Sequence, residues 1–179
     1  MKGPQDSATV ARVQVSFRLN GVSFRKRVPV DWTLLRYLRE GLGYYGTKCG
    51  CEIGDCGACT VLYDGVALNA CLILAPQVDG VDIWTIEGVA PQGERGLHPV
   101  QQAFVERGAV HCGFCTPGFV MSTIALFLET RNPSRQEIKE ALAGNLCRCT
   151  GYIQILDAVK TAASRLRDRD LKKFVSRRR

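Results

Sequence analysis

The cysteines are the residues of this sequence whose type and spacing could do chemistry. Nine occur in 179 residues, in two groups that the cysteine-free stretch 72–111 separates. In a reducing compartment, so many cysteines are usually kept for metal binding. The groups are Cys49, Cys51, Cys56, Cys59 and Cys71, and then Cys112, Cys115, Cys147 and Cys149.

The first group has the spacing of a plant-type [2Fe–2S] site. Cys56 follows Cys51 after four intervening residues, Cys59 follows after two more, and Cys71 comes later. Two irons bridged by sulfide need four thiolates from one side, so a tight loop can supply three and a neighbouring strand the fourth. Glycines within the loop let its backbone curl inward and donate amide hydrogen bonds to cluster sulfur. These four cysteines are therefore predicted cluster ligands.

Two other interpretations of the first group fit less well. Structural zinc sites usually take paired short spacings rather than a gap of four followed by a gap of two. A disulfide framework would need an oxidising compartment, for which the sequence gives no sign. Cys49 does not fit the four-residue gap, and we expect it to be a bystander thiol rather than a substitute ligand.

The second group pairs Cys112 and Cys115 with Cys147 and Cys149, thirty-one residues further on. Both pairs lie at predicted junctions between a helix and a loop. If these junctions share one end of a helical bundle, the four thiolates can surround one cluster. Taken alone, this spacing would also suit zinc, so the second cluster depends on the wider sequence context.

The elements that must position the first group are short strands. Alternating apolar residues over 13–19 and a return strand over 22–30 flank Asn20-Gly21, a hairpin signal. A short helix near Leu34 follows, and Asp64-Gly65 marks a second hairpin between 60–63 and 66–68. With a closing strand over 81–86, the pattern predicts a β-grasp, plant-ferredoxin-like domain over residues 1–88.

The second half has helical signals. Helices are predicted over 98–107, from Pro117 to about 128 with Thr116 as its N-cap, from Ser134 to about 143, and from Tyr152 to about 167. Ser134 and Glu137 are predicted to form a capping box, and Gly144-Asn145 to end that helix. The stretch 91–96 reads as a linker. We therefore predict an α+β protein whose second domain, residues 89–168, is a four-helix bundle that carries the second cluster.

The net charge of +7 is concentrated at one end. Arg165–Arg179 holds eight basic and two acidic residues, so residues 1–164 carry only +1. We expect a basic tail over 169–179 that is solvated or docks on a partner, rather than nucleic-acid binding, because no nucleic-acid motif accompanies it. No apolar stretch is long enough to span a membrane and no signal peptide opens the sequence, which predicts a cytoplasmic protein.

Longer motifs surround both cysteine groups. They occur in order along the chain and include glycines, threonines and aromatic residues as well as the cysteines. The segments are Gly46–Lys48, Gly50-Cys51 and Gly54–Val61 around the first group, and His98–Gln101, Cys112–Gly118 and Asn145–Tyr152 around the second.

These motifs resemble those of the molybdenum hydroxylase family, which includes xanthine dehydrogenase, aldehyde oxidoreductase and carbon monoxide dehydrogenase. The match extends from about Val13 to Ala163. In that family such a unit is the N-terminal part of a long chain or a separate small subunit, and this chain is similar to the separate subunit. The resemblance implies the electron-transfer subunit of an oxidoreductase, without a substrate site of its own.

The resemblance also implies partners and a direction of electron flow. A large subunit would carry a molybdopterin cofactor and a medium subunit FAD, in a heterotrimer or a dimer of heterotrimers. Electrons would pass from molybdenum to the cluster of the second cysteine group, then to that of the first group, and then to FAD. Cys149 is expected near the pterin.

His111 departs from the family pattern. Relatives commonly have glutamine just before the Cys-Gly-Phe-Cys segment, placed to hydrogen-bond the pterin. Imidazole can also donate or accept one hydrogen bond, but it is shorter. His111 is therefore expected either to contact the pterin or simply to pack at the subunit boundary.

Two other functions compete with this interpretation. A free two-cluster ferredoxin would shuttle electrons by diffusion and would favour an acidic surface, whereas this chain has a nearly neutral body and a second domain that a simple carrier does not need. A zinc-stabilised interaction module would require the spacing of the first group to be accidental.

Overall fold

A hairpin opens the structure, a computed structural model that describes residues 10–91 and 96–175. Strands β1 (Arg12–Leu19) and β2 (Val22–Pro29) pair antiparallel along their whole length. Asn20 and Gly21 between them have φ angles of 52° and 84°. Positive φ at both central residues is what the favoured two-residue hairpin turn requires. The predicted first hairpin is confirmed.

Three more strands complete one mixed sheet. Strands β3 (Thr60–Tyr63) and β4 (Val66–Asn69) form the second predicted hairpin. Strand β5 (Asp82–Trp84) lies parallel to β1 and antiparallel to β3, which gives the order β2-β1-β5-β3-β4. Strand β5 is shorter than the predicted range 81–86, because Ile86–Gly88 turns as a single 3-10 helix.

A short helix packs on the sheet. Helix α1 (Leu34–Arg36) begins after Thr33, whose hydroxyl accepts a hydrogen bond from the Arg36 amide, and it continues as a wider π-helical turn over Tyr37–Gly41. Its apolar side chains join the inward face of β1 in one core. The buried members from these two elements are Leu34, Leu35 and Leu38, with Val15, Phe17 and Leu19.

Four helices of eight or more residues follow in the described part of the second half. They are α2 (Pro99–Glu106), α3 (Thr116–Glu129), α4 (Arg135–Leu142) and α5 (Ile153–Arg165). Helix α2 contacts α3 and α5, and α4 contacts the same two helices. Helix α3 also contacts β3 and β4. It is apolar on nearly every side and buried along most of its length, as expected for a helix between other helices and a sheet.

The starts of α4 and α3 can be compared with the capping rules. Ser134 and Glu137 form the predicted capping box of α4 through reciprocal hydrogen bonds. Thr116, expected to precede α3 as its cap, is instead the first residue of the helix, and Cys115 occupies the cap position. Pro117 still lies in the first turn, where it loses no helical hydrogen bond.

Part of the segment predicted as a basic tail, residues 169–175, is folded in the structure. Helix α5 ends at Arg165, and a further helix α6 (Asp168–Leu171) with the 3-10 turn Lys172–Phe174 folds back onto the protein. Phe174 is 1% exposed and its ring meets that of Trp84 at a centroid distance of 5.0 Å. Leu171 and Phe174, three positions apart within the charged stretch, are the two residues of this segment whose apolar side chains are buried in the core. Residues 176–179, and most of the predicted linker over 91–96, lie outside the described residues.

No helix among the described residues has the length and apolar character that a membrane span needs.

Candidate metal centres

The first cysteine loop, residues 49–59, leads directly into β3. Cys59 is the last residue before that strand, and Cys71 lies in the 3-10 turn that follows β4. Because Thr60 pairs with Asn69 in the hairpin, the start of β3 and the end of β4 are adjacent. This register brings Cys59 and Cys71 together, and the two thiols are hydrogen-bond partners.

The other two predicted ligands of the first group, Cys51 and Cys56, form a second pair. The amide of Cys56 donates to the sulfur of Cys51 over 3.4 Å. Amide hydrogen bonds from Ile53 and then Cys56 lower the pKa of Cys51 to about 7, so this loop favours a thiolate there. Burial raises the pKa of Cys59 to about 12, and the neighbouring Cys71 thiol raises it further. Metal binding at Cys59 therefore has to displace a proton.

The backbone of the first cysteine loop leaves room for ligands rather than side chains. A Cβ atom on Gly50 would lie 2.8 Å from the sulfur of Cys56. Gly54 and Gly57 have positive φ angles of 87° and 65°. Glycine tolerates these angles and these contacts, so the loop can turn its thiols toward one point.

The second group lies on two further loops. The second cysteine loop, residues 108–115, ends where α3 begins, and the third cysteine loop, residues 143–152, joins α4 to α5. The sulfur atoms of Cys112 and Cys149 are 3.6 Å apart. Cys115 and Cys147 are also hydrogen-bond partners. The structure thus brings together the four cysteines that the sequence grouped.

The two thiol pairs of the second group differ in how deeply they are buried. Cys112 and Cys149 are exposed, whereas Cys115 and Cys147 are half-buried. Burial raises the pKa of Cys115 to about 12, and the Cys147 thiol adds to this. Burial also acts on Cys147, but hydrogen bonds from Thr150, whose hydroxyl lies 3.2 Å from the sulfur, outweigh it and lower its pKa.

The eight thiols therefore form four pairs, two in each group. A [2Fe–2S] cluster takes four thiolates shared between two irons, so two pairs at each site suit it. Among the described residues, no three His, Cys, Asp or Glu side chains are arranged to bind one metal ion. The paired thiols, the amide donor to Cys51 and the glycine at position 50 fit a [2Fe–2S] cluster.

Two predicted residues lie apart from these pairs. Cys49 is exposed and donates a hydrogen bond to the Glu52 carboxylate over 3.2 Å. This hydrogen bond raises the pKa of the Cys49 thiol, with further contributions from burial and the charge of Glu52. His111 is exposed beside Cys112. Its contact with a pterin remains a prediction.

Sequence reasoning missed the contacts of Asn145. The sequence places Asn145 only at the end of a helix and within a motif. It is 4% exposed and its side chain makes hydrogen bonds to the first cysteine loop. A buried asparagine within a cysteine motif is the signal that could have identified it, because buried amides need partners.

Two cluster-binding units in one chain define a two-cluster iron–sulfur protein. Residues 17–76 match the 2Fe-2S iron-sulfur cluster binding domain, and residues 85–160 match the [2Fe-2S] binding domain. The two matched ranges include every cysteine of both groups. They favour an iron–sulfur cluster over zinc at the second group.

Similar proteins cover most of the chain. The nicotinate dehydrogenase small FeS subunit of Eubacterium barkeri is 44% identical over 154 residues, which are 86% of this chain and 97% of that protein. The xanthine dehydrogenase iron-sulfur-binding subunit of Escherichia coli O157:H7 is 45% identical over 149 residues, or 82% and 92% of the two chains. The crystal structure of quinoline 2-oxidoreductase from Pseudomonas putida 86 has a chain that matches with a TM-score of 0.82 and 40% identity, covering 86% of this chain and 94% of that one.

The chain belongs to the small iron–sulfur subunits of the molybdenum hydroxylase family. The expected role as an electron-transfer subunit of an oxidoreductase is confirmed, and the free ferredoxin is not favoured. The ferredoxin-like domain with a mixed sheet is also confirmed. Two [2Fe–2S] clusters on this chain, with molybdenum cofactor and FAD on partner subunits, fit the homologous complexes.

Proposed function

We propose that Cys51, Cys56, Cys59 and Cys71 hold one [2Fe–2S] cluster and that Cys112, Cys115, Cys147 and Cys149 hold the other. The pairing of the eight thiols carries this assignment. A [2Fe–2S] cluster supplies one-electron transfer, and the chain's own residues bind it, shield it and adjust its environment. In this assignment, Cys49 takes no part in either cluster.

The two ligand sets have different surroundings, which supports different partners for the two clusters. Cys59 and Cys71 are buried, while Cys112 and Cys149 are exposed. We assign the exposed second cluster to the molybdopterin side, with Cys149 and His111 facing the pterin. The first cluster then faces the FAD subunit, so electrons run from molybdenum through the second and then the first cluster to FAD.

The domain organisation that we propose follows the cluster sites. Residues 1–88 form a β-grasp domain around the first cluster, and residues 89–168 form a four-helix bundle around the second. The ring of contacts in which α2 and α4 each meet α3 and α5 supports the bundle. Residues 169–175 add a further piece that packs on both units.

The proposed assembly is a heterotrimer of this chain with a large molybdopterin-binding subunit and a medium FAD-binding subunit, either alone or as a dimer of heterotrimers. The relatives are subunits of such complexes, which supports the two partners. We place the complex in the cytoplasm, where reduced cysteines can hold iron. Nucleic acid is not a proposed partner.

The experiment that tests this function is the elemental content of the complex isolated through an affinity tag on this chain. About four irons per chain, with molybdenum and two larger chains, are expected. Iron without molybdenum or larger chains would support the free ferredoxin instead. Zinc in place of iron would overturn the cluster assignment.

A further inference from the structure

The two cluster sites meet at the side chain of Asn145, in the third cysteine loop. Its amide nitrogen donates to the carbonyl of Gly57 over 3.0 Å and to the hydroxyl of Thr60 over 3.3 Å. Its amide oxygen accepts a hydrogen bond from the hydroxyl of Ser122 over 2.7 Å. One buried amide therefore joins helix α3, the first cysteine loop and the third cysteine loop.

Both groups to which the Asn145 amide donates are close in sequence to a proposed ligand. Gly57 lies between Cys56 and Cys59, and Thr60 directly follows Cys59. Asn145 itself precedes Cys147 by two residues. A second hydrogen bond runs parallel to the first, because the amide of Leu146 donates to the carbonyl of Cys56 over 3.0 Å. The backbones of the two ligand loops are thus fixed directly to each other.

The packing around this junction leaves no space for other side chains. A Cβ atom on Gly57 would lie 2.3 Å from the carbonyl oxygen of Gly144 and 2.5 Å from the amide nitrogen of Asn145. A Cβ atom on Gly118, in the first turn of α3, would lie 2.2 Å from the carbonyl oxygen of Gly57. The first and third cysteine loops are therefore in backbone contact, and the hydrogen bonds between them keep their separation.

We propose that Asn145 is a positioning residue that fixes the distance and orientation between the two iron–sulfur clusters. This inference rests on the proposed function, since it needs both clusters. The amide is suited to the task because it donates on one side and accepts on the other, and a carboxylate of the same shape cannot donate to Gly57. Electron tunnelling and magnetic coupling both fall steeply with separation, so a small displacement of one loop changes each of them.

The test compares two asparagine variants in the full chain within its isolated complex. Asn145→Asp removes the donor to the first cysteine loop. Asn20→Asp is the matched control, since Asn20 is 7% exposed and exchanges two side-chain hydrogen bonds with Thr85, at 2.8 and 2.9 Å. Neither residue of that control pair belongs to a cysteine loop. The measurements are iron content, thermal unfolding, and the electron paramagnetic resonance spectrum of the fully reduced clusters.

Both variants are expected to lower the unfolding temperature, because each buries a carboxylate in place of an amide. Only Asn145→Asp is expected to lose or narrow the splitting that arises from magnetic interaction between the two reduced clusters. An unchanged splitting in Asn145→Asp with full iron content would overturn the inference. An equal loss in Asn20→Asp would also overturn it, since the effect would then follow stability alone.

A third variant provides the test if Asn145→Asp binds too little iron for the splitting to be measured. Ser122→Ala removes only the hydroxyl that orients the Asn145 amide, so a smaller narrowing of the splitting is expected, and no narrowing at all would overturn the inference. Failure of the proposed function looks different. In that case the wild-type complex itself would lack the two cluster signals.

Discussion

The cysteines differ in how firmly the protein surrounds them. Cys115 is half-buried at the start of α3 and paired with Cys147, whereas Cys49, which belongs to neither proposed ligand set, is exposed and donates a hydrogen bond to Glu52. Serine substitutions at these two cysteines therefore form a matched pair that tests the ligand assignment.

Replacing Cys115 by serine is expected to remove the second cluster and leave the first. A hydroxyl is a poor iron ligand in place of a thiolate, so iron content should fall from about four to about two per chain. One of the two reduced-cluster signals in the paramagnetic resonance spectrum should disappear. Cys49→Ser should keep both signals and all of the iron. Loss of a cluster in Cys49→Ser would assign that thiol a ligand role.

His98 offers a second test at the scale of one residue. It caps α2, where its Nδ1 accepts from the amide of Val100 at 3.3 Å, and its Nε2 contacts the carbonyl of Asp170 at 3.1 Å. Burial lowers the pKa of His98 below its ordinary 6.5, and the Lys173 charge acts in the same direction against the opposing influence of Asp170. The folded protein thus favours the neutral ring.

The stability contribution of His98 should therefore fall in acid. Because the unfolded chain binds a proton near pH 6.5 while the folded chain binds it only at lower pH, stability is complete above that value and is lost as pH falls below it. His98→Asn keeps a capping side chain that does not titrate in this range. Unfolding measured from pH 7.5 to 5 should show wild type losing stability relative to this variant. A constant difference between the two proteins would contradict the expected pKa shift.

At the scale of elements, the segment after α5 is where the structure departs most from the sequence prediction. Lys173 donates hydrogen bonds to the carbonyls of Gly88 and Val89 at 2.8 and 2.7 Å, and Phe174 is fully buried beside it. Burial lowers the pKa of Lys173, yet these carbonyl partners suit an ammonium group. The segment therefore ties the end of the sheet domain to the helices.

Removing the Phe174 ring should cost stability. Phe174→Ala leaves a cavity against Trp84 and His98, and such a change typically costs about 3–5 kcal/mol of unfolding free energy. Val175→Ala is the control, because Val175 is 50% exposed and surface changes usually stay within about 0.5 kcal/mol. Denaturant unfolding measures both. Equal effects of the two substitutions would mean that the segment is not part of the core.

Local elements could be predicted from the sequence, whereas contacts between them could not. The turn at Asn20-Gly21 and the capping box at Ser134 depend on neighbours within four residues, so their patterns predict them. The spacing of the cysteines likewise identified the two groups. The contact of Phe174 with Trp84 and the hydrogen bonds that the Asn145 amide donates each join residues more than eighty positions apart, and no local pattern contains that information.

At the scale of the whole molecule, apolar side chains remain exposed around the second cluster site. Leu146 is 54% exposed and Ile153 is 63% exposed, while the hydroxyl of the intervening Tyr152 accepts from the amide of Cys147 at 2.9 Å. Exposed apolar residues beside a redox centre are typical of a surface that a permanent partner covers.

A charge on this surface should prevent assembly without disturbing the clusters. Ile153→Glu is expected to retain the iron of this chain while the larger, molybdenum-containing chain no longer co-purifies, because the interface would bury an unpaired carboxylate. Val66→Glu, at a position 53% exposed on β4, serves as the control and should still assemble. Co-purification unchanged in Ile153→Glu would place the molybdopterin-binding partner elsewhere.

The backbone contact between Gly57 and Gly118 also limits how such a protein can change over generations. A Cβ atom on Gly118 would strike the carbonyl oxygen of Gly57, and a Cβ atom on Gly57 would strike the carbonyl oxygen of Gly144 in the third cysteine loop, so neither position can accept a side chain. The two halves can therefore not diverge independently at this point. Recombination that exchanges one half between relatives should yield working chimaeras only where both parents retain this glycine pair.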